Sequence, residues 1–155
     1  MNKARLPCRP GAPLMALVLL LTLAAATPAW ALEPVRILIV HAYSQEYPWT
    51  KGQHEGFVST LTESLPIPPT IKTEYLDSKR LGLEANYLAW FADYLGQKYQ
   101  GFHPQLLYVT DDDGLKLGLE VQARGFPEIP LFFSGVNDYH AQERLDPNRQ
   151  TGVFE

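Results

Sequence analysis

The sequence predicts an α/β fold, an open parallel sheet with helices on both of its faces. Two observations carry this. Short continuous apolar runs, such as Ile37–Val40 (ILIV) and Leu106–Val109 (LLYV), read as strands buried on both sides. Longer segments with apolar residues at helical spacing alternate with them, the order expected of a parallel sheet joined by right-handed crossovers.

The chain opens with Lys3, Arg5 and Arg9 and no acidic residue, then Leu14–Ala25 (LMALVLLLTLAA), then TPAWA, where Ala29 and Ala31 fit an A-x-A cleavage site. That order is the signature of a secretory signal peptide over residues 1–31. The apolar run is shorter than the ~20 residues a membrane span needs, and an uncleaved anchor is the other reading. Cys8 lies ahead of the apolar run, unlike a lipoprotein cysteine at its cleavage point. The expectation is an exported domain, periplasmic or extracytoplasmic, over residues 32–155.

Of 155 residues, removal of the first 31 leaves 124; of 13 Lys and Arg, loss of three leaves 10 against 17 Asp and Glu, a net charge of −7. An acidic chain of this kind is not expected to bind nucleic acid, which needs a basic surface. The single cysteine departs with the leader, so neither a disulfide framework nor thiolate chemistry is expected.

Within 32–155, Arg36–His41 (RILIVH) reads as the first strand. Phe57, Val58, Leu61 and Leu65 recur at helical spacing from Thr50 to about Ser64, and the prolines of Leu65–Pro69 (LPIPP) end that helix. Ile71–Leu76 (IKTEYL) alternates as an edge strand would. From Leu83 to Tyr99 one apolar stripe predicts a helix, closed by Gly101–Pro104 (GFHP). Gln105–Thr110 (QLLYVT) is a third strand, after which DDDG supplies carboxylates suited to capping a helix over Leu115–Arg124. There the pattern is mixed, since Leu115, Leu117, Leu119 and Val121 also alternate. Pro130–Ser134 (PLFFS) is a fourth strand, Val136–Asn148 a polar irregular stretch, and TGVFE the start of a fifth strand.

Ligands of open parallel sheets bind beyond the carboxyl ends of the strands. The loops to read there hold His41, Ala42, Tyr43, Ser44, Tyr47 and Trp49 after the first strand, Thr110 and Asp111–Asp113 after the third, and Ser134, Gly135, Val136, Asn137, Asp138 and Tyr139 after the fourth. Aromatic faces beside hydroxyls, carboxylates and an amide are how a small-molecule pocket is built. Each residue also has a plainer reading. Trp49 could staple its helix to the sheet, Asp111–Asp113 could cap a helix, and Asn137 could shape a turn.

Enzyme signatures are missing. The chain holds no G-x-S-x-G elbow, no phosphate-loop motif, no H-E-x-x-H helix and no G-x-G-x-x-G after the first strand. His41, His54, His103 and His140 read as scattered, and DDDG is too compressed for an EF-hand loop. A phosphoacceptor receiver would need an acidic pair where His41-Ala42 stands. No enzyme activity, cofactor or metal is expected.

RILIVHAYSQEYPWTKGQHEGF, EYLDSKR, LLYVTDDDGLKL, PLFFSGVNDY and TGVFE, in that order from Val35 to Glu155, resemble the ABC transporter substrate-binding-protein-like family. The resemblance implies one lobe of a type I periplasmic-binding-protein fold. The family includes receptors feeding transporters and extracytoplasmic sensor domains of membrane histidine kinases and diguanylate cyclases. The Y-P-W-T and F-F-S-G-V-N stretches look closer to the sensor branch. It further implies a ligand cleft lined by Tyr43–Ser44, Thr110–Asp111 and Ser134–Asn137. The family has two lobes, so the expectation is that this chain carries the N-terminal one, as a fragment or as a lobe needing a partner. The implied function is recognition of a small molecule. The alternative is an interaction domain of the same fold that docks a partner protein.

Overall fold

The computed structural model of the protein describes residues 32–155; the expected leader lies outside the described residues. Strands β1 (Arg36–His41), β2 (Thr70–Tyr75), β3 (Leu106–Thr110), β4 (Leu131–Val136) and β5 (Gln150–Phe154) form one sheet in the order β2-β1-β3-β4-β5. All four pairings are parallel. Between the strands run α1 (Pro48–Ser64), α2 (Ala85–Lys98) and α3 (Asp111–Arg124). The order reverses between β1 and β3, whose registers align His41 with Thr110. That reversal opens a crevice at the carboxyl ends of the two strands.

Side-chain alternation divides each strand between two layers. Leu38, Val40, Leu107, Val109, Leu131 and Phe133 face α2 and α3, where Phe91, Leu95, Leu117 and Val121 complete an apolar core. Ile37, Ile39 and Tyr108 face α1 and pack on Phe57, Val58 and Leu61. Phe57 stacks on Tyr108 with ring centroids 3.7 Å apart. Helices therefore cover both faces, as the sequence predicts.

Several boundaries differ from the sequence reading by one or more residues, two of them at the carboxyl ends of the strands. Helix α3 starts at Asp111, not Leu115, so DDDG is its first turn rather than a leader to it. Carboxylates there suit the unpaired N–H groups and positive end of the helix. The fourth strand continues past Ser134, where the sequence reading ended it, through Gly135 and Val136. Pairing decides this: Ser134 lies opposite Thr110 in β3 and Val136 opposite Phe154 in β5, with an irregularity between Phe133 and Val136. The stretch read as irregular also contains a 3-10 helix, Tyr139–Arg144, whose first N–H groups are met by Asp138.

Candidate functional site

On the α1 face, the three central strands turn from apolar to polar as they near their carboxyl ends. β1 runs Ile37, Ile39, His41; β3 runs Leu106, Tyr108, Thr110; β4 runs Phe132, Ser134. Helix α1 runs the opposite way, so its first two turns bring Thr50, Gln53 and His54 over those polar ends. Its later turns bring Phe57, Val58 and Leu61 over the apolar part.

Two hydrogen-bond strings result. In the first, His41 Nε2 lies 3.0 Å from His54 Nδ1, and His41 Nδ1 lies 3.2 Å from Thr110 Oγ1. Thr110 Oγ1 also accepts from the Ala42 N–H at 3.4 Å. His41 is fully buried, its ring stacked on Tyr75 at 5.4 Å. Burial first, and then the neighbouring His54, lower its pKa to about 4. Burial also lowers His54. A neutral pair can share only one proton between its facing nitrogens. The tautomer of one ring thus fixes that of the other. Two of the four histidines that read as scattered along the chain, His41 and His54, are in contact here. Beside His54 opens a cleft of about 590 Å3 between Glu46, Thr50, Lys51, Glu55 and Tyr75.

In the second string, the Ser134 hydroxyl donates to Gln53 Oε1 at 2.6 Å and meets the Tyr108 hydroxyl at 2.6 Å. Gln53 Nε2 is buried with no partner. Gly135 makes this approach possible. Its φ is +69°, and a Cβ there would stand 2.7 Å from Gln53 Nε2 and 3.4 Å from Asp111 Oδ1.

Asp111 is the most constrained residue of the site. It opens α3 with φ of +63°, a region that a non-glycine residue enters at a cost and that aspartate tolerates better than most. Its Oδ1 accepts from the Trp49 indole N–H at 3.1 Å, whereas Oδ2 is buried and unpaired. Burial raises its pKa to about 6, against the pull of the Trp49 and Thr110 hydrogen bonds, with Asp112 and Glu155 adding to the rise. Thr50 Oγ1 is likewise buried and unpaired.

Seven of the nine expected site residues divide into two groups. Trp49, Thr110, Asp111, Ser134 and Gly135 meet around Gln53 and the end of β3. Tyr43 and Tyr47 form a separate pair, T-shaped at 5.2 Å, over which Lys79 lays its ammonium. Burial raises the Tyr43 phenol to about 12, and Asp111, Asp113 and Asp112 push it the same way. Ser44 shapes the connection, its carbonyl accepting from the Tyr47 N–H. The Asn137 amide donates to the Gly135 carbonyl at 3.3 Å, so it shapes its own turn. Trp49 is no staple in the core, being 44% exposed. Asp112 caps no turn of α3; its Oδ1 accepts from the N–H groups of Asn137 at 3.0 Å and Asp138 at 2.9 Å, tying α3 to the exit of β4.

His41, Thr50, Gln53, His54 and Lys79 were not among the expected site residues. For His54 and Gln53 a signal existed, since both fall on the helical stripe that continues through Phe57, Val58 and Leu61. Among the described residues, no group of three or more His, Cys, Asp or Glu is poised to hold a metal, and no helix is long and apolar enough to cross a membrane. No protein-family model, curated protein or solved structure matches the chain.

Proposed function

We propose that residues 32–155 are the ligand-binding lobe of an exported solute receptor with a type I periplasmic-binding-protein fold. It would serve either an ABC transporter or, as an extracytoplasmic sensor, a membrane histidine kinase or diguanylate cyclase. One observation carries this reading. Three polar atoms, Thr50 Oγ1, Gln53 Nε2 and Asp111 Oδ2, are buried without partners at the carboxyl ends of β1, β3 and β4. Unpaired buried polar atoms cost stability, and a solute that supplies their missing hydrogen bonds removes that cost. The strand order supports the same place, because the β1/β3 reversal lies there.

A thermal-unfolding panel of small polar metabolites tests it. A true ligand at a hundred times its Kd stabilises the fold by about 2.7 kcal/mol, and Asp111→Ala abolishes the shift. A panel spanning amino acids, nucleosides, sugars and organic acids that leaves the midpoint unmoved argues for the second reading, a domain that docks a partner protein. Trp90, 58% exposed, and Tyr94, 39% exposed, stack on one another along α2 and favour that second reading.

A further inference from the structure

We infer that Tyr43 and Tyr47 form a subsite for an organic cation, a protonated amine or quaternary ammonium, which the chain fills with its own Lys79. The inference rests on the solute-binding reading and names the chemical class that one part of that site takes.

The geometry is that of a cation held by two aromatic faces. Lys79 Nζ stands 4.5 Å from the Tyr43 ring centroid and 4.0 Å from that of Tyr47, and it donates to the Tyr47 hydroxyl at 2.7 Å. Both distances lie within the ~6 Å over which a ring quadrupole attracts a cation. The field around the rings has the matching sign. The carboxylates of Asp111, Asp112 and Asp113 act on the Tyr43 phenol and disfavour its anion. A negative rim that resists a phenolate favours an ammonium. Asp111, whose Oδ2 is buried and unpaired, acts on Tyr43 most strongly of the three and offers a cation its counter-charge.

Lys79 is suited to act as a removable occupant. Its side chain is exposed and makes no ion pair among the described residues. The connection that carries it is held by backbone bonds instead: Leu76 N–H donates to the His41 carbonyl and Ser78 N–H to the Ala42 carbonyl, each at 2.8 Å. Withdrawing the ammonium therefore leaves the connection in place. A ligand cation that touches both rings gains the same quadrupole attraction, and the acidic rim as well. Lys79 meanwhile swings into water.

The test is calorimetric titration of the full chain with tetramethylammonium chloride and, in parallel, with tert-butyl alcohol, a neutral molecule of similar shape. Lys79→Met is expected to bind tetramethylammonium about five- to thirtyfold more tightly than the unaltered chain, the change that losing two competing exposed cation–π contacts produces. Lys79→Arg, which keeps a cation over the rings, is expected to bind no more tightly than the unaltered chain. The alcohol is expected to bind neither. Equal tetramethylammonium affinity in Lys79→Met and the unaltered chain overturns the inference, as does alcohol binding that matches the cation. If the cation assignment fails in this way while a neutral solute still raises the melting midpoint, the solute-binding reading stands without it. If no solute of any charge stabilises the chain, both fall.

Discussion

The two faces of the sheet are made by the same strands and do opposite things. Toward α2 and α3, successive inward residues stay hydrocarbon to the end of each strand: Leu38 and Val40, Leu107 and Val109, Leu131 and Phe133. Toward α1, the same strands finish in His41, Thr110 and Ser134. Helix α3 buries seven residues, Leu115, Leu117 and Val121 among them, whereas α1 buries only Thr50. One face therefore carries the stability of the fold. The other ends in polar groups, some of them buried without partners, at the cost of some of that stability.

Substitutions should separate the faces by size and by sign. The largest effect is expected from Leu117→Ala, a fully buried truncation on the α3 face, which should cost about 2–5 kcal/mol in urea unfolding. A loss below about 1 kcal/mol would show that this face is not the main source of stability.

Asp111 gives a smaller, pH-dependent contrast. Its folded pKa, about 6, lies above the ordinary value of 3.8, so the folded state takes up the proton first as pH falls from 6 to 3.8. Its ionised form therefore destabilises the fold above pH 6, and protonation relieves this. Asp111→Asn, which keeps an oxygen for the Trp49 indole, should gain roughly 3 kcal/mol over the unaltered chain at pH 8, with the gain vanishing near pH 4. His41 titrates with the opposite sign. Its folded pKa, about 4, lies below the ordinary 6.5, so the unfolded chain protonates first and stability is lost as pH falls across that window. In the unaltered chain the two trends oppose one another. In Asp111→Asn the decline below pH 6.5 should stand out, and a flat profile there would contradict the burial of a neutral His41.

The smallest effect is expected at Thr50. Thr50→Val replaces an unpaired buried hydroxyl with a methyl group of similar size, and the unfolding free energy should stay within about 1 kcal/mol or rise. A larger loss would mean that this hydroxyl has a partner, and the unpaired-atom basis of the site would weaken with it.

Much of the fold is legible in the chain because its signals are local. Val-, Ile- and Leu-rich runs, the stripe from Leu83 to Tyr99 and the prolines after Leu65 act within a few residues of themselves. The misread segments, DDDG and Gly135–Val136, are polar or begin with a glycine, so hydrophobic spacing says little about them. The N-terminal end of a helix and the pairing partners of a strand decided their state. The site was half legible. Reading strand ends named Trp49, Thr110, Asp111, Ser134 and Gly135, which the fold does bring together, because topology places such residues side by side whatever their neighbours. It missed the His41–His54 contact, and it grouped Tyr43 and Tyr47 with the others although Lys79 covers them.

The alternation of strands and helices, the apolar core positions and the polar tips of β1, β3 and β4 are set by the order of residues, since each depends on a period of two or 3.6. Which tips meet is not. Thirteen residues separate His41 from His54, and 32 separate Tyr47 from Lys79. Their meeting depends on α1 descending from the carboxyl end of β1 and on β2 pairing at its side. Only the folded backbone sets those distances, because the energy of each contact falls off over a few ångströms while the chain between the partners runs for tens.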